Sequence, residues 1–284
     1  MLDAVSRHPR FGERYDTVCR LIGGDLQWAL RSSEEALHAN ALSSLVTFLV
    51  SSIALDQFRE TAPDGAGAVG GYSVGQWTAL YAAGCLTFAD TVRIIAHRAQ
   101  CMDACFVDNP GAMMAVIGSP AERLRRFCED LSGQGHVLYI SNVNCPGQWS
   151  LAGAASAIEA ALDRADSLEA KIVKRLPARG AWHCPLVRPA ERPFRQFLRT
   201  VTLHPARVAV INNVTGDWFP RDANAIKAHL VRHLSRPVLW ERGVRRLVES
   251  GCRRFVEVGY GNMLTKFGFF IDRTVSHSAF LSGE

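Results

Sequence analysis

The chain has 284 residues, enough to bury a sizeable hydrophobic core and, by length, to form about two domains. Hydrophobic residues make up 48% of it and charged residues 21%, an average composition that excludes collagen, coiled-coil and wholly disordered proteins. The formal net charge is +5, which favours acidic partners. The basic residues nevertheless lack the interleaved aromatic side chains of a nucleic-acid-binding face, so we expect no nucleic-acid partner.

The N-terminal part of the chain carries no recognisable signal for export or membrane insertion. Its first residues, MLDAVSRHPRFGERYD, place charges where a signal peptide needs an apolar segment. The longest apolar stretch, from Ala41 to Leu55, is interrupted by serine and threonine and is shorter than a membrane span, so it predicts a buried helix. The eight cysteines form no CxxC pair, and we expect reduced thiols in a cytoplasmic protein without a membrane partner.

Helix-like and strand-like segments alternate along the chain, which predicts an α/β fold with a largely parallel sheet. The glycine-rich segment from Gly65 to Gly71 predicts a strand or turn that leads into a helix from Gln76 to Ala83. Thr87 and Asp90 have the spacing of a helix N-cap and its partner three residues later, so the next helix extends from there to about Ala104.

The segment from Ala112 to Leu176 has a different order of elements. The pattern predicts strands at Ala112 to Ile117, Val137 to Val143, Trp149 to Ala152 and Ala170 to Leu176, and helices that begin at the cap Ser119-Pro120 and at Ala154. This βαββαβ order is that of a ferredoxin-like unit. We therefore predict a ferredoxin-like small domain at 112–176, inserted into an α/β-hydrolase-like large domain made of 1–111 and 177–284.

Residues 71 to 75 form the pattern G-x-S-x-G around Ser73. In this pattern the small flanking residues permit a sharp turn from a strand into a helix, which exposes the serine oxygen at the helix N-terminus. The backbone N–H of Val74 can then donate to an oxyanion that develops at the reacting carbonyl. A bare pattern of this kind also occurs by chance as a plain glycine turn, but the predicted strand and helix lie where a nucleophile elbow requires them.

A serine nucleophile needs a general base, and the chain contains nine histidines. His183 stands in the segment GAWHCP, a turn between the predicted small domain and the second part of the large domain. From that position an imidazole can reach a cleft between the two domains. The other late histidine, His277, lies outside any recognisable turn motif, which disfavours an ordinary α/β-hydrolase with its histidine near the end of the chain.

Several segments together resemble the malonyl-CoA:acyl-carrier-protein transacylase family, which includes the acyltransferase domains of polyketide synthases. The elbow GYSVGQ, the AAG at 82–84 and Arg98 are similar to the family's G-H-S-x-G-E, A-A-G and R-G blocks. Further matching blocks are GAMMAVIG at 111–118, NVNCPGQ at 142–148, GAWHCPL at 180–186, INNVTG at 211–216, RPVLW at 236–240 and EVGYGNMLT at 257–265. They follow in the family's order over nearly the whole chain.

The resemblance implies a role for each matching residue. Ser73 corresponds to the nucleophile that becomes acylated, and His183 corresponds to its general base. In the family a backbone carbonyl, rather than an acidic side chain, orients this imidazole, and the matching position is Leu239. Arg98 corresponds to the arginine that pairs with the free carboxylate of the malonyl group. A guanidinium suits that role because it binds a carboxylate bidentately and stays charged at any working pH.

The resemblance also implies that Trp182, Tyr72 and Asn144 bind the substrate. Malonyl-selective members of the family tend to carry a large ring before the base histidine, and methylmalonyl-selective members carry a smaller residue. We therefore expect Trp182 to exclude an α-methyl group and to favour malonyl. Three residues depart from the family pattern: Tyr72 replaces His, Gln76 replaces Glu and Tyr260 replaces Pro.

The start of the chain departs from the family pattern as well. Family members open with a strand that ends in G-Q-G-S-Q, whose second residue supplies another oxyanion N–H, and this chain begins just beyond that block. Because Ser73, Arg98 and His183 are all present, we expect a start codon assigned too late rather than a real loss. The upstream DNA, translated in frame, distinguishes the two.

The resemblance thus predicts an acyltransferase that moves a malonyl group from coenzyme A to the phosphopantetheine thiol of an acyl carrier protein, in fatty-acid or polyketide synthesis. Malonyl-CoA is a substrate, and neither a metal nor a bound cofactor is implied. Acyl carrier proteins are acidic, which fits the net positive charge. Two alternatives stay open: a serine acyl-thioesterase, and an inactive carrier-protein-binding subunit if the chain is truly truncated.

Overall fold

A computed structural model describes residues 1–27, 39–62 and 65–281. The helices in this part of the chain are α1 (Phe11–Ile22), α2 (Asn40–Thr61), α3 (Gly75–Ala82), α4 (Phe88–Asp103), α5 (Ala121–Gly133), α6 (Ala155–Leu162), α7 (Glu191–Arg199), α8 (Ala223–Arg232), α9 (Trp240–Glu249) and α10 (Met263–Ile271). The strands are β1 (Ala68–Val69), β2 (Gly111–Ile117), β3 (Leu138–Cys145), β4 (Gln148–Ala154), β5 (Ile172–Arg175), β6 (Ala209–Asn212), β7 (Asp217–Trp218), β8 (Val238–Leu239), β9 (Arg254–Tyr260) and β10 (Ser276–Leu281). This alternation confirms the predicted α/β fold class.

The strands outside the predicted small domain pair mostly in parallel. Strands β1 and β6 pair in parallel, with Val69 opposite Val210, and β7 adds to β6 as an antiparallel neighbour. Strands β9 and β10 form a second parallel pair. Within the described residues these strands make two sheets, where the sequence predicts one. The first of them carries the nucleophile elbow, because the chain turns from β1 into α3.

The segment predicted as a small domain folds around its own sheet. Strand β2 lies between β4 and β5, and β3 pairs with β4, all antiparallel, which gives the order β5-β2-β4-β3 of a ferredoxin-like unit. Helices α5 and α6 cover this sheet with apolar residues such as Leu124, Phe127 and Ile158. Strand β8, from outside the segment, extends the same sheet by pairing in parallel with β3. The boundaries at 112 and 176 stay a prediction.

Helix α2 contains the apolar stretch that the sequence analysis assigned to a buried helix. It has 22 residues and a mean hydropathy of 1.5 in its most apolar window, so its length and composition alone would suit a membrane span. However, 61% of that window is buried inside the protein, where Phe48, Leu49 and Ile53 have no exposed surface. The predicted buried helix is therefore confirmed, and α2 packs along α4 and β9 at the centre of the larger core.

The caps of α4 and α5 differ in how well the sequence predicts them. Thr87 accepts a hydrogen bond from the Asp90 N–H at 3.1 Å, which confirms the predicted cap of α4. At α5 the prediction is wrong by one position, since Pro120 occupies the N-cap and the helix has no side-chain cap. The Ser119 side chain is instead buried and has no hydrogen-bond partner among the described residues. Its carbonyl accepts from the Trp149 indole at 3.3 Å, so this loop is bonded to β4 rather than to the helix.

Candidate active site

The elbow between β1 and α3 holds Ser73 in a left-handed backbone conformation, with φ of 51°. A non-glycine residue in this region is strained by about 1–3 kcal/mol and is often found at functional sites. Gly71 makes the turn possible, because a Cβ at that position would lie only 1.8 Å from the Gly75 carbonyl oxygen. The Gly75 N–H closes the turn by donating to the Tyr72 carbonyl at 2.8 Å. The turn thus aims the serine side chain away from the sheet.

His183 lies beside the serine although 110 residues separate them in sequence. The Ser73 Oγ and the His183 Nε2 are 2.7 Å apart, a hydrogen-bond distance suited to proton transfer. His183 also has a left-handed backbone, with φ of 58°, and is only 2% exposed. Of the three non-glycine residues with positive φ in the described part of the chain, two are therefore the proposed nucleophile and base.

A backbone carbonyl orients the imidazole, but it is not that of Leu239. The His183 Nδ1 donates to the His233 carbonyl at 2.8 Å, which leaves Nε2 as the acceptor for the serine proton. His233 is the C-cap of α8, where carbonyl groups have no donor within the helix and are free to accept from elsewhere. Leu239 lies in β8, and its N–H donates to the Asn213 carbonyl at 2.8 Å. The Leu239 assignment is corrected to His233.

The His233 side chain is a further feature that sequence reasoning missed. Its ring lies against that of His183, with 4.9 Å between ring centroids, and it is buried. Neither ring nitrogen has a hydrogen-bond partner within the described residues. Burial, followed by the nearby His183 and Arg98, holds the pKa of His233 well below its usual range, so this second imidazole is neutral at physiological pH.

Arg98 extends from α4 and is 2% exposed. In the described part of the chain no carboxylate lies within ion-pair distance of its guanidinium, and its Nε has no hydrogen-bond partner. Burial lowers the pKa of Arg98 to about 10, and Asp103 partly opposes this effect. The guanidinium is still protonated at neutral pH. Among the described residues this desolvated positive charge has no negative partner, which favours the binding of an anion.

The electrostatics of the site keep His183 neutral, although a lowered pKa also makes it a weaker base. Burial and, to a smaller extent, the positive charge of Arg98 lower the pKa of His183 to about 3, while its bond to the His233 carbonyl opposes the shift. The imidazole is therefore neutral at pH 7 and ready to accept the proton of Ser73. The positive charge of Arg98 lowers the pKa of His233 as well as that of His183.

The other predicted site residues occupy positions around this centre. The Val74 N–H, at the start of α3, has no acceptor among the described residues and is free to bind an oxyanion. The Tyr72 hydroxyl donates to the Asn144 side-chain oxygen at 2.8 Å, so these two residues are joined to each other. The Trp182 ring packs edge to face on Phe106, with 5.3 Å between ring centroids.

Two amide side chains beneath the elbow were also missed. Asn213 accepts from the Ser73 N–H at 2.9 Å and donates to the Gly71 carbonyl at 2.7 Å. Gln76 accepts from the Asn213 N–H at 2.9 Å and donates to the Ile211 carbonyl at 3.0 Å. The sequence analysis contained Asn213 only as part of the INNVTG block at 211–216 and Gln76 only as a departure from the family pattern, and neither pattern indicated these contacts.

No metal centre is evident in the residues that the structure describes. They contain no group of three or more His, Cys, Asp or Glu side chains arranged to hold a metal ion. The titratable groups that the fold does bring together are two neutral histidines and one arginine beside a serine. This combination suits nucleophilic chemistry on an anionic substrate.

Comparison with known proteins agrees with this geometry. The family model of the acyl transferase domain matches residues 30–269. The chain belongs to the acyl transferase domain family. Among curated proteins, the malonyl CoA-acyl carrier protein transacylase of Bacillus subtilis is 33% identical over 236 residues, which cover 82% of this chain and 73% of that protein. The Escherichia coli K12 protein of the same name is 31% identical over 281 residues, which cover 98% and 90%.

Solved structures of this acyltransferase family superpose closely on the chain. An acyl-carrier-protein S-malonyltransferase from Burkholderia pseudomallei has a TM-score of 0.91 at 26% identity, covering 99% of this chain and 92% of that one. A malonyl-transacylase in complex with its type II polyketide synthase acyl-carrier protein has a TM-score of 0.90 at 28% identity, covering 98% and 90%. These relatives share both the α/β fold and the order of its elements over nearly their full length.

Proposed function

We propose that this chain transfers a malonyl group from coenzyme A to the phosphopantetheine thiol of an acyl carrier protein. The observation that carries the proposal is the 2.7 Å contact between the Ser73 Oγ and the His183 Nε2, together with the buried guanidinium of Arg98, which lowers the pKa of His183 and has no carboxylate partner among the described residues. The names of the relatives point to the same donor and acceptor. Fatty-acid and polyketide synthesis both need this reaction, and a cytoplasmic location suits both substrates.

The first half of the reaction forms an acyl-serine. The Ser73 Oγ attacks the thioester carbonyl while the His183 Nε2 takes the hydroxyl proton. The Val74 N–H donates to the oxyanion of the tetrahedral intermediate. When the intermediate collapses, the bond from carbon to sulfur breaks, and the coenzyme A thiolate leaves with the proton that His183 held. The malonyl group is then esterified to Ser73, and His183 is neutral again.

The second half repeats these steps in reverse with a different thiol. The phosphopantetheine thiol of the carrier protein gives its proton to His183, and its sulfur attacks the acyl-serine carbonyl. Collapse of the intermediate returns the proton to the Ser73 oxygen and releases the malonyl thioester. Because a thioester is converted into another thioester, the reaction needs little driving force. The burial of His183 and Arg98 helps to exclude the water that would otherwise hydrolyse the ester.

Arg98 determines which acyl groups bind. A malonyl carboxylate supplies the negative partner that the guanidinium lacks, through charge-assisted hydrogen bonds that are bidentate. The same carboxylate neutralises the charge that lowers the pKa of His183, and binding of the substrate thereby makes the base stronger. We further propose that Trp182, adjacent to His183, restricts the space at the α-carbon and so favours malonyl over methylmalonyl, and that Tyr72 and Asn144 line the site as a bonded pair.

Mass spectrometry of the protein mixed with malonyl-CoA tests the proposal. We expect a malonyl adduct on Ser73, no adduct in the Ser73→Ala variant, and transfer of the group to an added holo carrier protein. Release of free malonate without loading of the carrier would instead identify a thioesterase. The absence of any adduct, with carrier binding retained, would identify a non-catalytic carrier-binding subunit.

A further inference from the structure

The Asn213 side chain is hydrogen-bonded to the backbone of the nucleophile elbow. Asn213 follows the last residue of β6 and is only 1% exposed. Its side chain bonds to both sides of the elbow, since the oxygen accepts from the Ser73 N–H and the nitrogen donates to the Gly71 carbonyl. One side chain thus bridges the Gly71 carbonyl and the Ser73 N–H, the two backbone groups on either side of Tyr72.

Asn213 is itself held firmly in place. Its backbone N–H donates to the Gln76 side chain at 2.9 Å, and its carbonyl accepts from the Leu239 N–H at 2.8 Å. Both of its backbone groups and both ends of its amide side chain are therefore hydrogen-bonded. A buried polar network in which every member is satisfied is rigid and specifies one conformation. Hydrogen bonds through Asn213 thus connect the elbow to the end of β6 and to β8.

We propose that Asn213 is a positioning residue for acyl transfer, with Gln76 as its support. It holds Ser73 in the left-handed conformation that aims Oγ at the His183 Nε2. This inference rests on the proposed role of Ser73 as nucleophile. Without Asn213 the Ser73 N–H and the Gly71 carbonyl lose their partners, and the elbow is free to relax toward an ordinary backbone conformation that moves Oγ off the imidazole.

The hydrogen bond between the Asn213 oxygen and the Ser73 N–H also determines which backbone N–H of the elbow can reach the substrate. The Ser73 N–H is engaged by the Asn213 oxygen and is not available to the substrate. The next N–H, that of Val74, has no acceptor within the described residues. Asn213 therefore leaves Val74 as the elbow's donor to the oxyanion, which agrees with the orientation of Oγ toward His183.

The neighbouring residue provides a matched control. Asn212 is the same residue type, is also 1% exposed and is the last residue of β6, directly before Asn213. Its side-chain oxygen accepts from the Val214 N–H at 2.9 Å, and its nitrogen has no partner among the described residues. Truncation of Asn212 removes an amide of equal size and burial but leaves both bonds to the elbow in place.

The experiment measures formation of the malonyl adduct on Ser73 by rapid quench and mass spectrometry at several malonyl-CoA concentrations. For Asn213→Ala we expect the acylation rate constant to fall about 10²-fold, because a displacement of about 1 Å has an effect of that size. The amplitude should stay near one adduct per folded enzyme, and the concentration of malonyl-CoA at half-maximal rate should not change, since Arg98 is intact. Asn212→Ala should keep the wild-type rate constant.

A purely structural role gives a different result. If Asn213→Ala only destabilises the fold, the melting temperature and the adduct amplitude fall, but the acylation rate constant of the molecules that remain folded does not change. That outcome overturns the inference, as does a wild-type rate constant in Asn213→Ala or an equal loss of rate in Asn212→Ala. A wild-type protein that forms no adduct overturns the proposed function and this inference together.

A second variant serves if Asn213→Ala does not fold. Gln76→Met keeps the side-chain length and the Asn213 amide but removes the bond that holds the Asn213 backbone. We expect a smaller fall in the acylation rate constant than that for Asn213→Ala, with unchanged amplitude, whereas the exposed Gln100→Met on α4 should behave as wild type. An unchanged rate constant in Gln76→Met contradicts the role of Gln76 and Asn213 as a unit.

Discussion

Arg14 and Arg98 are both buried, but their surroundings differ. The Arg14 guanidinium lies between α1 and α2, with 7% of the residue exposed, and it bonds to Asp56 at 2.6 Å, to the Ser52 hydroxyl at 3.0 Å and to the Tyr81 hydroxyl at 3.0 Å. Arg98 is more deeply buried and has no carboxylate partner in the described chain. The two residues thus have the same charge and similar burial, but only Arg14 has a carboxylate partner within the described residues.

This difference separates a structural cation from a functional one. A buried ion pair whose bonds are satisfied joins two helices, and removal of one partner leaves the other charge uncompensated. A buried cation without a partner lowers the stability of the protein that has no ligand. This loss of stability is offset only when an anion binds. We therefore expect substitutions of Arg14 to change stability and substitutions of Arg98 to change activity.

The largest effect is expected for Arg98→Ala with malonyl-CoA as substrate. Loss of two charge-assisted hydrogen bonds, at roughly 1.5–3 kcal/mol each, should reduce the rate of malonyl loading by about 10²–10⁴-fold. The melting temperature should be unchanged or higher, because an unpaired buried charge has been removed. Adduct formation and thermal unfolding measure the two effects. A large loss of stability, or malonyl loading close to that of the wild type, would contradict the comparison.

Arg14→Met should have the opposite pattern. The buried carboxylate of Asp56 would keep only the more exposed Arg10 as a partner, so the free energy of unfolding should fall by about 3–5 kcal/mol. Denaturant titration measures this change, and acylation per folded molecule should stay at the wild-type level. Arg14→Met combined with Asp56→Leu should regain much of the loss, and no recovery would argue against the ion pair as the cause.

A moderate effect is expected at Trp182. Replacement by serine should open space beside the α-carbon and change the preference between malonyl and methylmalonyl by about 1–3 kcal/mol, or roughly 10–200-fold. The measurement is competitive loading of Ser73 from the two acyl-CoA esters. Because Trp182 packs on Phe106, a Phe106→Leu variant controls for loss of packing alone. Equal selectivity in the wild type and in Trp182→Ser would exclude this residue as the determinant.

The smallest effect concerns the pH dependence of the base. His183 has a pKa of about 3, lowered first by burial and then by Arg98, so it loses activity as a base only when the pH falls toward that value. In Arg98→Ala the acidic limb of the pH–rate profile should move to higher pH but stay below pH 6.5, because His183 is still buried. Hydrolysis of a neutral ester such as p-nitrophenyl acetate reports this limb in both proteins. An acidic limb near pH 6.5 in the wild type would contradict the burial of a neutral imidazole.

The sequence predicted the reactive side chains of the site better than the groups that hold them in position. Ser73, His183 and Arg98 were recognisable because motifs with fixed spacing carry them, and the fold brings the first two into contact. The carbonyl that orients His183 was placed at Leu239 instead of His233. A backbone carbonyl has the same chemistry at every residue, so a side-chain pattern gives no indication of which one accepts.

The same difference applies to local structure: features that depend on near neighbours were predicted, and features that depend on distant contacts were not. The cap at Thr87 depends on residues three positions apart, and it was predicted correctly. The cap predicted at Ser119 was wrong because the loop around it is bonded to Trp149 in another strand. Helices α1 and α10 were not predicted, and Asn213 was passed over because an asparagine in a sequence does not show which distant backbone groups it will contact.

The sequence by itself determined what depends on near neighbours: the glycine that permits the elbow, the apolar pattern of α2, the βαββαβ order of the segment 112–176 and the identity of the reactive side chains. Only the tertiary structure decided which groups meet across long separations: Ser73 with His183, His183 with the end of α8, and Asn213 with the elbow. It also decided that Arg14 pairs with Asp56, whereas Arg98 has no carboxylate partner in the part of the chain that the structure describes. Solvent exclusion and pairing are properties of packed surfaces, and a linear order of residues does not contain them.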